Sequence, residues 1–316
     1  MLSRVAESLY WLGRYVERAE NVARSIDVNL QLQLDLPGEE RPWDPVVQTA
    51  GNAGSFFRKY ARATAENAQT FLTFDTENPS SIVSCVASAR ENARTVRENI
   101  PTELWMVVNR FHLHLSQPGA QERRRASPHD FFEEVKEFSQ LVVGIMQSTM
   151  NHDEAWNFTK IGKFMERADQ TSRILDVKYY ILLPDVAMVG MQLDTVQWSA
   201  LLKSISAFQM FRRAYSEVTP RNVAEFLMLS DEFPRSLRYC LAQTLQALKE
   251  VALPERDEAE ALRLCGRMHA DFRYTTIEEI QQAGLHESID AFQTELNKLS
   301  GVIRHDFFGG IRYPAA

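Results

Sequence analysis

Gly13, Glu17, Glu20, Arg24 and Asp27 group four ionisable side chains with one glycine, and the set returns 149 residues later as Gly162, Glu166, Asp169, Arg173 and Asp176. On a helix turning about 100° per residue, each set falls within an arc of roughly 80°. Each stripe thus offers three carboxylates and one arginine beside a glycine that lets another backbone or a ligand come close. Two chemistries fit. In the first, Glu20 pairs with Arg24, Arg24 with Asp27, and the remaining acids meet arginines of neighbouring helices. In the second, one or both stripes line a site whose carboxylates hold a metal, orient an amine or act as general acid and base.

A second constellation is cationic. Arg90, Arg94 and Arg97 stack at i, i+4, i+7 into a ridge that reads as the complement of the carboxylate stripes. It pairs internally, or it binds a phosphate or carboxylate through the planar guanidinium fork. His269 and Asp271, with Arg273, are further acid–base or binding candidates, and Arg235 lies in Phe233-Pro234-Arg235-Ser236, whose proline reads as the first turn of a helix. A di-iron carboxylate bundle needs Glu-x-x-His, and none of the seven histidines has glutamate three residues before it. Zinc-protease, phosphate-loop, hydrolase-elbow and kinase motifs are likewise missing, so no cofactor and no metal are expected. Cys85, Cys240 and Cys265 lack paired spacing and read as reduced, buried thiols.

Helices must position these groups. Apolar residues recur at helical spacing from Ser3 to Leu34, and Pro37-Gly38 ends that run. Short helices are expected up to Thr76; then Asn78-Pro79 reads as a cap launching a helix to Asn99, with another over Glu103–Leu115. Residues 116–128, with Pro118-Gly119 and Arg123-Arg124-Arg125, read as a linker or exposed loop whose arginines face water or, alternatively, a partner. Helical patterns resume over 130–150, 153–183 (stopped by Pro184), 194–218, 221–229, 234–251, 257–270, 277–283 and 287–307, with no convincing strand. Between residues 13–28 and 162–177, 7 of 16 positions are identical and most others conservative, which favours duplication over chance. The expected fold class is therefore all-α: a helical bundle of two duplicated halves, 1–115 and 129–316, the second including the C-terminal helices.

Bulk properties agree. A chain of 316 residues, 45% hydrophobic with only 13 glycines and 12 prolines, can bury a sizeable core and leaves long windows for helices. A net charge of -7 gives no broad nucleic-acid or anionic-membrane footprint. Glu7 interrupts what a secretion signal would need, and no stretch approaches the roughly 18 apolar residues of a membrane span. The expected setting is the cytoplasm.

The segment Leu9-Tyr10-Trp11-Leu12-Gly13-Arg14-Tyr15-Val16-Glu17-Arg18-Ala19-Glu20 strongly resembles the opening of the bacterial alpha-E domain family. The resemblance continues through Ala89-Arg90-Glu91-Asn92-Ala93-Arg94, Glu154-Ala155-Trp156, Glu166-Arg167-Ala168, Ala224-Glu225-Phe226, Phe233-Pro234-Arg235-Ser236, His269–Thr275 and Gly284-Leu285-His286-Glu287. It implies an all-helical domain of unknown function, encoded beside or fused to a circularly permuted ATP-grasp amidoligase, often with a transglutaminase-like protein and sometimes a proteasome-like peptidase. That neighbourhood implies a part in ATP-dependent amide or peptide bond formation, as an accessory subunit or as a second step; the leading expectation is a non-catalytic partner of the ATP-grasp ligase, with a homo-oligomer also open. The alternatives are a helical enzyme that uses the clustered carboxylates and a protein–protein scaffold.

Overall fold

Leu9, Leu12, Val16, Ala19, Ala23 and Ile26 form the buried face that makes α1 a continuous helix from Ser3 to Asp35. The computed structural model describes residues 1–35, 43–181, 192–251 and 259–309; the stops expected at Pro37-Gly38 and Pro184 lie outside these residues. Short helices α2 (Asp44–Thr49), α3 (Ala53–Lys59) and α4 (Ala65–Thr73) follow, and then α5 (Ile82–Thr95), a 3-10 turn at Arg97–Asn99 and α6 (Thr102–Leu115). Next come α7 (Ala120–Ala126) and α8 (Pro128–Thr149). The second long helix is α9 (Glu154–Ile181), followed by α10 (Gln192–Ser204), α11 (Phe208–Ala214), α12 (Pro220–Leu229), α13 (Leu237–Val251), α14 (Glu260–Tyr274), α15 (Ile277–Ala283) and α16 (Leu285–Phe308). No strand occurs among the described residues.

Four sequence expectations are corrected. Residues 116–128 are not an open linker, because α7 lies inside them and buries Arg124 against Glu66 and Gln69 of α4. Asn78 does not cap α5; it is buried in a turn, and Ser81 caps the helix by accepting from the Ser84 N–H at 3.2 Å. Ser236 takes that role for α13, accepting from Tyr239 N–H at 3.1 Å, so Pro234 precedes the helix instead of lying in its first turn. The helix expected over 194–218 breaks because Ser206 adopts φ +54 and closes α10, with Ala207 N–H bonding back to Leu202 O at 2.7 Å. Gly51, at φ +82, occupies the corresponding place after α2.

Packing centres on the two long helices. α1 lies against α9 along its length; α5 and α8 flank α1, while α13 and α16 flank α9. α6 bridges α5 and α8, and α14 bridges α13 and α16. α2 also packs on α9 and α10 on α1, so both ends of the chain share one hydrophobic core. At the crossing, a Cβ on Gly162 would stand 1.9 Å from the Tyr10 carbonyl oxygen, and one on Gly13 would stand 2.3 Å from that of Thr159. The stripe glycines thus admit a backbone, not a ligand.

Candidate functional site

The crossing sets opposite each other the ionisable groups that the repeat places on α1 and α9. Glu17 receives Arg167 as a fork, Nε to Oε1 at 2.8 Å and Nη2 to Oε2 at 2.7 Å, and Arg235 Nη1 also donates to Oε1 at 2.8 Å. Glu166 receives the mirror arrangement: Arg18 Nε to Oε1 at 2.6 Å, Arg18 Nη2 to Oε2 at 2.9 Å and Arg14 Nε to Oε2 at 2.7 Å. Each glutamate therefore meets two guanidiniums, one being the arginine that follows the other glutamate in sequence. Both carboxylates are buried, at 1% and 0% exposure, which leaves no oxygen open to a metal or substrate. Burial alone would raise their pKa, but Arg167 and Arg235 at Glu17, and Arg18 and Arg14 at Glu166, hold both well below the usual carboxylate range.

Glu20 extends the network through Arg24, whose Nε and Nη2 donate to Oε1 at 2.8 and 2.6 Å, and through Arg235 Nη2 at 2.7 Å. Arg24 Nη1 reaches the Ser206 hydroxyl, and on α9 Arg173 Nε donates to both oxygens of Asp169 at 3.1 Å. The stripes end in aspartate–histidine pairs that the sequence analysis did not find. His129 Nδ1 lies 2.7 Å from Asp27 Oδ1, and His286 Nδ1 lies 2.6 Å from Asp176 Oδ1. Hydrogen bonding to those aspartates raises both imidazole pKa values. The only available clue was positional: His129 and His286 are each the second residue of a helix, α8 and α16, that flanks a stripe. Asp27, His129 and Glu133 bring potential metal-ligand atoms within 4.8 Å of one another. The Lys136 ammonium already fills that space, 2.8 Å from Asp27 Oδ2 and ion-paired to Glu133.

The remaining candidates lie elsewhere. Arg90, Arg94 and Arg97 do not complement the stripes: Arg90 donates to Asn109 and Glu91, Arg94 to Glu91, and Arg90 and Arg97 cover the Trp105 ring. His269 is half-buried on α14, its pKa lowered by burial and then by Arg238 and Arg273, while Asp271 and Arg273 face solvent. Arg235 alone among the outlying candidates joins the core, and Thr171 Oγ1 fixes its backbone by donating to Arg235 O at 2.9 Å.

These bonds also fix the turn before α13. Arg167 Nη1 donates to Pro234 O at 3.3 Å, and Phe233 and Pro234 form one wall of an open groove of about 850 Å³. Met210, Tyr215, Glu225 and Phe226 line the groove from α11 and the segments around it, with Arg238 from α13. Its size suits a ligand or a short peptide segment. Cys85, Cys240 and Cys265 are fully buried, and desolvation pushes each thiol up to about 12. The native protein is therefore expected to resist a thiol reagent at pH 8 and to react at three cysteines after denaturation; rapid labelling of the native state would contradict their burial.

Among known proteins, residues 1–308 match the Alpha-E family, described as a predicted alpha-helical domain with a conserved ER motif. Glu17-Arg18 and Glu166-Arg167, the two Glu-Arg pairs exchanged at the crossing, fit that description. The chain is 27% identical over 317 residues to uncharacterised proteins of Mycobacterium tuberculosis and Mycobacterium bovis, covering 94% of this chain and 34% of theirs. It thus spans about a third of the length of these relatives. No solved structure matches it. No described helix is long and apolar enough to cross a membrane.

Proposed function

Because the chain belongs to the alpha-E family, we propose that it is a non-catalytic, cytoplasmic binding partner of an ATP-grasp-type amidoligase in peptide or amide bond formation, built from two duplicated helical units. The division differs from the expected halves 1–115 and 129–316: α8 goes with the first unit, α1–α8, because it flanks α1, and the second unit is α9–α16; the recurrence of neighbours around α1 and α9 supports it. The observation that carries the functional reading is the commitment of all four oxygens of Glu17 and Glu166 to guanidiniums, which makes the motif a rigid frame. Through Arg167 and Arg235 that frame holds the wall of the α11–α13 groove, the surface best placed to receive the ligase, its peptide product or a transglutaminase-like protein. Relatives about three times as long accord with a module that works joined to other domains. The rival reading, catalysis by the stripe carboxylates, would at Glu17 and Glu166 need oxygens that these ion pairs already occupy.

Purifying the chain with an ATP-grasp-type amidoligase of the same organism tests the proposal. Met210 is 46% exposed at the groove, so Met210→Glu should leave the fold intact. Co-elution of the wild type is expected, and Met210→Glu should weaken it about tenfold or more, as loss of a buried interface anchor does. Failure to co-elute, with ligase turnover and product unchanged by the chain, would overturn it.

A further inference from the structure

One outward face of the bundle is apolar where the surface of a solitary chain is usually polar. Of the eight large hydrophobic side chains exposed among the described residues, three lie on α6 and α8: Met106 at 60%, Leu113 at 54% and Leu141 at 44%. Between these helices runs an open groove of about 390 Å³, floored by the stacked rings of Phe111 and Phe138, whose centroids are 4.1 Å apart. His114 and Glu134, 3.0 Å apart, bridge it. Arg110 on the α6 wall and Glu137 on the α8 wall also line it; both are exposed, and neither has a hydrogen bond or ion pair among the described residues. The other half of the molecule lacks such a face. α16 packs on α9 as α8 packs on α1, and His286 and His129 are the second residues of these two helices. Counted from those histidines, Leu141 and Phe138 correspond to Lys298 and Glu295, which pair with each other at 3.7 Å.

We propose that this face is the contact between two copies of the chain, related by a two-fold axis running along the groove, with α6 of each copy lying on α8 of the other. The placing of charge selects a second copy as the occupant. Arg110 and Glu137 stand on opposite walls and carry opposite signs, so the rotation brings Arg110 of each copy onto Glu137 of the other, and two ion pairs flank an apolar centre. The contacts Phe111–Phe138 and His114–Glu134 show that α6 and α8 run antiparallel, which puts Arg110 and Glu137 at nearly one level along the groove. The pairs therefore form without sliding one copy past the other. Removing Met106, Phe111 and Leu141 from water drives the association, and the rim charges orient it. The face shares no residue with the α11–α13 groove, and its test does not depend on any ligase.

Sedimentation velocity of the intact chain over a concentration series reads the assembly, and a dimer is expected for the wild type. Leu141→Glu puts a carboxylate into the apolar centre from each copy. At roughly tenfold per lost anchor, it should weaken the dimer about a hundredfold. Leu141 is exposed in the single chain, so the far-ultraviolet circular dichroism of the variant should match wild type and separate loss of contact from loss of fold. Arg110→Glu and Glu137→Arg should each set like charges against one another and shift the protein toward monomer. Combining the two reverses both pairs at once and should restore the dimer, a result that only a face meeting itself explains. A wild-type chain that stays monomeric at every concentration overturns the proposal and leaves the face to a different protein. A dimer that none of the three single substitutions weakens overturns it as well, as does a double exchange that fails to recover what the single exchanges removed.

Discussion

Glu166→Gln is expected to destabilise the protein by about 3–5 kcal/mol, because it leaves the guanidiniums of Arg14 and Arg18 facing a neutral amide in a site closed to water. At this chain length that loss corresponds to roughly 5–8 °C in melting temperature. Glu17→Gln should act in the same direction by stranding Arg167, while Arg235 keeps Glu20. Replacing the whole trio, with Glu166→Leu, Arg14→Met and Arg18→Met, should restore much of the loss, since an apolar core avoids the desolvation cost of the charges. The pH dependence comes from the lowered pKa values. A carboxyl held below its unfolded value near 4.3 stabilises the fold fully above that value, and the stabilisation disappears as pH falls through the lower, folded value. Wild type and Glu166→Gln should therefore differ most near neutral pH, begin to converge below about pH 4 and meet only near pH 2, where Glu166 is itself protonated in the fold. Thermal melts across that range decide the matter; a variant melting within about 2 °C of wild type at pH 7 would show that the trio contributes little.

The long helices were legible because burial on one side imposes a 3.6-residue period on α1, and the recurrence of its polar positions in α9 exposed the second rod. The same recurrence identified the stripe residues but not their partners. A helical period tells which side of a rod is polar, yet which rod crosses it is a tertiary fact, so the Arg90 ridge was matched to the acids while the true partners sat within the motif itself. Two equal helices crossing at matching glycines exchange their neighbours, Glu17 to Arg167 and Glu166 to Arg18, and no single helix displays that exchange. His129 and His286 were missed for a related reason, each being brought to its aspartate from more than 100 residues away. The break at Ser206 was invisible because a serine in the left-handed region leaves no glycine or proline signal. α7 escaped because a polar seven-residue helix has too few turns to show a period.

Everything at the crossing depends on how closely α1 and α9 approach, and two glycines set that distance. In Gly162→Ala the new Cβ would lie 1.9 Å from Tyr10 O and 2.8 Å from its carbonyl carbon; in Gly13→Ala it would lie 2.3 Å from Thr159 O. These obstacles are backbone atoms, so no rotamer change relieves them and the helices must separate. Separation acts on the forks as well, because N–H···O bonds of 2.6–2.9 Å weaken quickly once the groups move apart. Overpacking alone costs about 1–3 kcal/mol, and partial loss of two buried ion pairs adds to it. Gly162→Ala should therefore lose more than about 3 kcal/mol, with Gly13→Ala close behind. Gly144 in α8 and Gly301 in α16 supply the control: a Cβ there meets nothing within 4 Å, so alanine should stabilise by about 0.5–1 kcal/mol through helix propensity. Denaturant melts of the four variants should place the crossing glycines and the surface glycines on opposite sides of wild type. If Gly162→Ala is as stable as Gly144→Ala, the close approach does not organise the core, and the Glu-Arg exchange built on it has no geometric cause.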